Sequence, residues 1–91
     1  RLRTLMPTAY KTRLWIAYIL SLGLVHKRTT SSHFVYDYPT TSAKSITRPI
    51  IVEQNWDMIP VDHINRSLRV LGKTMKDFKT FIQSQDKGRK K

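Results

Sequence analysis

The most constraining feature of this sequence is a regular row of apolar residues in its C-terminal third. The row recurs at alternating spacings of four and three residues, as Ile64, Leu68, Leu71, Met75, Phe78 and Ile82. At roughly 100° per residue these positions occupy about 80° of helical arc. A strand would need alternation at every second residue, which this row lacks. The spacing therefore predicts one amphipathic helix over residues 60–85, whose narrow apolar face packs against a partner.

Basic residues occupy the opposite side of the same predicted helix. By the same arithmetic, this side carries Arg66, Arg69, Lys73 and Lys76. Such a row is typical either of an ordinary solvated helix face or of a surface that follows phosphate groups. The sequence leaves both interpretations open, and we predict anion binding here.

A second helix is predicted over residues 9–25. Within it, only Ser21 and Gly23 interrupt the apolar run Leu14 to Val25. A helix that is apolar on all sides is buried. Twelve helical residues rise about 18 Å, which is short of the roughly 30 Å of hydrocarbon in a bilayer. Burial inside a protein or ribonucleoprotein is therefore favoured, and membrane contact through residues 14–25 is the alternative.

The middle of the chain, residues 26–59, is predicted to be extended. Aromatic and β-branched residues at positions 33–38 favour either a short strand or a segment laid on a partner. A lone hairpin with Ile50 to Val52 would be marginal in water. Phe34, Tyr36 and Tyr38 either pack in a core or stack on bases.

These patterns predict a mainly α fold in which two helices are joined by an extended segment that contains aromatic residues. The 91 residues form a single small subunit, too small to bury a large core and expected to complete itself against a partner. In order, it comprises a basic arm (1–8), an apolar helix (9–25), an extended linker (26–59), an amphipathic helix (60–85) and a basic tail (86–91).

The charge of the chain is high and unevenly placed. The formal net charge is +11, with +6 over residues 1–36, −1 over residues 37–61 and +6 over residues 62–91. A small chain with this charge needs anionic partners, most commonly nucleic acid or a membrane surface. The first 36 residues contain no acid, a composition typical of a mitochondrial transit region, so we predict a mitochondrial location.

No motif in the sequence indicates catalysis or a cofactor. The chain has no cysteine, and its three histidines are not spaced three or four residues apart, so no metal site is predicted. Gly72-Lys73-Thr74 ends like a phosphate-binding loop, but the glycine required five positions earlier is Ser67. The acidic residues form no pair suited to acid–base chemistry. We therefore expect no enzymatic activity, no cofactor and no small-molecule substrate.

The expected function is a non-catalytic structural subunit of a large assembly. An RNA-contacting small ribosomal protein of organelle type fits best, with RNA and neighbouring protein subunits as partners. An accessory subunit of a respiratory-type mitochondrial membrane complex, with a short membrane helix at 14–25, is the alternative. A DNA-binding regulator is disfavoured because no helix-turn-helix spacing is recognisable. The residues predicted to bind RNA or other anions are Arg1, Arg3, Lys27, Arg28, Arg66, Arg69, Lys73, Lys76, Lys87, Arg89, Lys90 and Lys91.

Overall fold

The computed structural model describes residues 8–89, with side chains from 8 to 85. Helices and strands are mixed along this part of the chain, so the prediction of a mainly α fold with two helices is wrong. The elements in order are β1 (Ala9–Lys11), α1 (Thr12–Ser21), β2 (Val25–Thr29), β3 (His33–Asp37), β4 (Ile50–Glu53), β5 (Met58–Pro60), α2 (Val61–Leu71) and α3 (Met75–Arg89).

The predicted linker contains almost all of a three-stranded antiparallel sheet in the order β2-β3-β4. Tyr36 pairs with Ile50 and Phe34 pairs with Val52, so one face of β3 and β4 is apolar. Tyr36, Ile50 and Val52 are buried in the core. The hairpin is not left alone in water, because β2 adds a third strand and the helices cover this inner face.

A second, two-stranded ladder joins distant parts of the chain. β1 pairs antiparallel with β5, from Ala9 opposite Pro60 to Lys11 opposite Met58. Backbone hydrogen bonds extend the ladder at both ends, from the Thr12 amide to the Asp57 carbonyl and from the Val61 amide to the Thr8 carbonyl, each 2.9 Å long. The ladder therefore ties together the N-terminal ends of α1 and α2.

The predicted apolar helix over residues 9–25 is shorter than expected. α1 ends at Ser21, and Gly23 turns the chain with φ of 105°, a conformation that favours glycine. The apolar run thus divides into a helix, a turn and the first residue of β2. Trp15, Tyr18 and Ile19 point into the core. Within residues 8–89, no helix has the length and apolar character that crossing a bilayer requires.

The predicted helix over residues 60–85 is two helices separated at Gly72. Gly72 adopts a left-handed conformation, and the Lys73 amide donates to the Leu68 carbonyl at 2.9 Å, which ends α2. A new N-terminus follows at once, since the Asp77 amide donates to the Thr74 hydroxyl and the Thr74 amide donates to the Asp77 carboxylate. The apolar row keeps its spacing across this break, which is why periodicity alone hides it.

The row predicted to pack on a partner packs on the rest of this chain. Ile64, Leu68 and Phe78 are buried in the core, and Leu71, Met75 and Ile82 are partly buried against it. Phe78 lies at the centre of an aromatic cluster, with ring centroids of Tyr10, Trp15 and Tyr18 at 5.2, 5.3 and 5.3 Å. Such contacts add to the stabilisation from apolar burial. The helices therefore complete one core with the inner face of the sheet.

Candidate nucleic-acid interface

A basic groove runs between α2 and the segment 38–49, which connects β3 to β4. Thr47, Arg48, Arg66, Arg69 and Val70 line its centre. Towards the end of α2 it continues past Arg69 to Lys44 and Lys73. Among the residues that the structure describes, no acidic side chain lines either part. We call this surface, with its five cations Lys44, Arg48, Arg66, Arg69 and Lys73, the α2 groove.

The helical period of α2 sets the position of its two arginines. Arg66 and Arg69 are three residues apart and exposed, so they lie on neighbouring positions of one helix face. Ile64 and Leu68 are turned to the core on the other side. Packing of the apolar face therefore fixes the direction of the basic face.

The segment 38–49 brings the remaining cations of the groove alongside α2. Its turn is held by the Ser42 amide, which donates to the Pro39 carbonyl at 2.9 Å, and by the Lys44 amide, which donates to the Ser42 hydroxyl at 3.0 Å. Ile46 packs against the core and anchors the segment. Lys44 and Arg48 thus reach the groove, although neither is among the residues predicted to bind anions. The available signal was that residues 38–49 contain two cations and no acid.

The break at Gly72 divides the predicted basic row. Lys73 lies at the end of the α2 groove, whereas Lys76 lies on α3 beside Asp77. Hydrogen bonds from the Thr74 amide and hydroxyl hold the pKa of the Asp77 carboxyl below its usual range, against a smaller desolvation effect, and the charges of Lys73 and Lys76 act in the same direction. Three of the four predicted cations therefore belong to the groove, and the fourth lies on the next helix.

A second basic site lies on the exposed strand β2. His26 pairs with Tyr36 and Arg28 pairs with Val35, so Lys27 is the extra residue of a β-bulge. His26 lies over the rings of Phe34 and Tyr36, with centroids at 5.8 and 5.5 Å. Since strand residues alternate between faces, the bulge allows both Lys27 and Arg28 to lie on the opposite, outer face. All five residues of β2 are exposed.

The other predicted basic residues fall at the ends of the chain. Arg1, Arg3, Lys90 and Lys91 lie outside the described residues. Lys87 and Arg89 lie in α3, where only the backbone is described. Their predicted role in anion binding stays a prediction.

The aromatic residues between positions 33 and 38 pack rather than present free rings. Tyr36 is 7 % exposed and belongs to the core, while Phe34 and Tyr38 are partly buried against it. Burial raises the pKa of the Tyr36 phenol above its ordinary value, because the charged form would lose hydration in the core. These rings therefore do not form an open platform for stacked bases.

Another hollow lies between β1, the start of α1 and Trp56. Its volume is about 420 Å³, and Lys11 and Arg13 line it together with Asp57. The Asp57 carboxylate partly neutralises the positive charge of the two cations, so this hollow is a weaker anion site than the α2 groove. Among the described residues, no three histidine or acidic side chains come together as metal ligands.

Comparison of this chain with protein-family models, with curated proteins and with solved structures finds no match. The functional argument therefore depends on the geometry and charge of the surfaces described above.

Proposed function

We propose that this chain is a non-catalytic subunit of a ribonucleoprotein and that it binds RNA phosphates in the α2 groove. The observation that carries the proposal is the convergence of five cations on one groove, which no acid lines among the residues that the structure describes. Two of these cations come from α2 and two from the segment 38–49, and Lys73 comes from the turn after α2. Within this class, the high overall charge favours a small ribosomal protein of organelle type, located in mitochondria.

Phosphate binding is the chemistry that this surface supports best. Arginine forms paired hydrogen bonds with phosphate oxygens, and lysine supplies a mobile point charge. Each neutralised phosphate releases counterions, so binding weakens as salt concentration rises. Lys27 and Arg28 on the outer face of the sheet provide a second contact for the same backbone chemistry.

The shape of the groove favours RNA over double-stranded DNA. A helix with its side chains is about 10–12 Å across, which alone fills the major groove of B-DNA. The segment 38–49 lies beside the basic face of α2, so a DNA duplex would have to accommodate both walls rather than the helix alone. A single strand or an RNA loop can lie between the two walls.

The membrane-complex alternative depended on residues 14–25 as a membrane helix. In the structure, Trp15, Tyr18 and Ile19 of this run pack in the core, and the helix ends at Ser21. No specific observation favours this alternative, so we do not carry it forward as a second candidate.

The proposal is tested by binding of the full chain to a fluorescein-labelled single-stranded RNA, measured by anisotropy over a range of NaCl concentrations. The test variant is the triple change Arg48→Gln, Arg66→Gln and Arg69→Gln. The matched control, Lys11→Gln, Arg13→Gln and Lys76→Gln, removes the same charge from outside the groove. Circular dichroism checks that both variants fold.

Loss of three phosphate contacts lowers the slope of log affinity against log salt by about 2 for single-stranded RNA. We expect this reduction in the groove variant and a much smaller change in the control. Equal slopes for the two triple variants, or no binding by the unmodified chain, would contradict the proposal.

A further inference from the structure

A small pocket opens from the α2 groove towards the start of β4. Its walls include apolar atoms of Pro49, Ile51 and Val70, and it shares Arg48, Arg66 and Val70 with the groove. Its volume is about 210 Å³. This is below the roughly 300–1,000 Å³ of clefts that hold drug-sized ligands, so it suits one ring system rather than a whole cofactor.

Two polar side chains lie among the apolar walls. Ser67 is 7 % exposed, and its hydroxyl can both donate and accept a hydrogen bond. His63 is fixed on the other side, since its Nε2–H donates to the Ile51 carbonyl oxygen at 2.8 Å and its ring meets Trp56 edge-on. In the neutral ring this leaves Nδ1 as an acceptor. The pocket thus combines an apolar interior with a few fixed polar groups, the usual composition of a ligand site.

The two arginines at the mouth of the pocket restrict the class of ligand. A guanidinium plane stacks on a base and also binds the phosphate beside it. A phosphate group itself would lose hydration against Pro49, Ile51 and Val70, which is costly. An unstacked base has apolar faces and polar edges, and it arrives flanked by phosphates that the groove can hold.

We propose that this pocket receives one unstacked base of a single-stranded RNA whose backbone lies in the α2 groove. The inference rests on the proposed function and refines it: the partner is RNA with at least one base turned out of the stack, as in a loop, a bulge or a strand end. Arg48 and Arg66, which line both the pocket and the groove, contact the base as well as the phosphates beside it.

The test compares two labelled RNA strands of equal length and charge. One carries ordinary bases, and the other carries abasic ribose at every internal position. Stacking and burial of a base are worth about tenfold to a hundredfold in affinity. We expect the full chain to prefer the base-bearing strand by this factor, with the same salt slope for both strands.

Two variants connect this preference to the pocket. Val70→Phe fills it, and Ser67→Ala removes its hydroxyl while keeping a good helix former. We expect Val70→Phe to abolish the preference, and Ser67→Ala to reduce it several-fold, with salt slopes unchanged. The matched control Val25→Phe, on the exposed strand β2, keeps the preference.

The possible failures are distinguishable. If the unmodified chain binds both strands equally and the salt slope still falls in the arginine variant, the base pocket is wrong and the phosphate groove stands. If it binds neither strand, both proposals fail. A preference that survives in both pocket variants also overturns the pocket.

Discussion

β4 and β2 are the two edge strands of the same three-stranded sheet, yet a helix contacts β4 whereas the residues of β2 are all exposed. On β4, His63 of α2 donates a hydrogen bond to the Ile51 carbonyl oxygen, and Ile50 and Val52 are buried. On β2, every residue is exposed, and a bulge at Lys27 interrupts the pairing.

One sheet can therefore protect its two edges by different means. An open edge invites pairing with another chain, and bulges and basic side chains prevent it. At β2 the two cations that discourage pairing with a protein strand, Lys27 and Arg28, are also residues that we propose bind phosphate. At β4 the protection comes from packing. The residues of this edge strand therefore contribute to the core.

The largest expected difference between the two edges is in stability. Ile50→Ala on β4, where the side chain is 2 % exposed, should lower the free energy of unfolding by about 2–5 kcal/mol, since it leaves a cavity. Val25→Ala on β2, where the side chain is 39 % exposed, should change it by less than about 0.5 kcal/mol. Urea unfolding followed by circular dichroism measures both, and equal losses would show that the two edge strands contribute equally to the core.

The next largest effect concerns the contact that covers β4. His63→Ala removes the hydrogen bond to Ile51 and the edge-on contact with Trp56, so we expect a loss of about 1–3 kcal/mol. His26→Ala on β2 removes cross-strand ring contacts and an exposed hydrogen bond with the Thr29 hydroxyl at 2.9 Å, and it should cost less than about 1 kcal/mol. Urea midpoints that rank these two histidines in the opposite order would show that α2 does not protect this edge.

A smaller effect is expected at the turn where α3 begins. Thr74→Ala removes the side-chain cap of α3 and should cost about 1 kcal/mol at neutral pH. The pKa of Asp77 is lowered in the folded chain, so its stabilising contribution is present above its ordinary value of 3.8 and is lost as pH falls below it. The difference in free energy of unfolding between the unmodified chain and Thr74→Ala should therefore become smaller in acid. Urea unfolding at neutral pH and below pH about 3 measures it, and a constant difference would contradict the assignment.

The smallest effect on stability is expected for deletion of Lys27. The remaining residues of β2 would keep their present partners in an uninterrupted register, from Val25 opposite Asp37 to Thr29 opposite Phe34. The edge would then be flat and carry one cation fewer, so we expect unchanged circular dichroism and more self-association in sedimentation velocity. A chain that stays as dispersed as the unmodified one would show that the bulge does not protect this edge.

The sequence predicted the positions that face the core better than it predicted the elements. The row from Ile64 to Ile82 was identified by its spacing, and it packs in the core as an apolar row should. Its division into two helices was missed because spacings of four and three continue across Gly72. The local signals were a glycine for the end of α2 and the pair Thr74 and Asp77 for the start of α3.

The strands were harder to predict because their stability depends on distant partners. β2, with the sequence Val-His-Lys-Arg-Thr, has no apolar alternation, and its bulge disrupts the period of two. β1 and β5 have three residues each and are stable only as a pair. A local pattern cannot show which distant segment supplies the other half of a ladder.

The candidate site was only partly predicted, because it also depends on segments that are distant in sequence. Helical spacing identified Arg66 and Arg69. Arg48 and Lys44 join them only because Ile46 and the turn at Ser42 place the segment 38–49 along α2. The shared face of Lys27 and Arg28 required the bulge, which residue type does not reveal.

The ladder between β1 and β5 has a consequence for the order in which the chain folds. It joins Ala9 to Pro60, whereas the β2–β3 and β3–β4 pairs join segments much closer in sequence. Closing the longer loop costs more chain entropy. The ladder is therefore stable only after the residues between β1 and β5 are already compact. We therefore expect the three-stranded sheet to form early and the ladder to close last, so that the starts of α1 and α2 are joined in the final step and separate first when the protein unfolds.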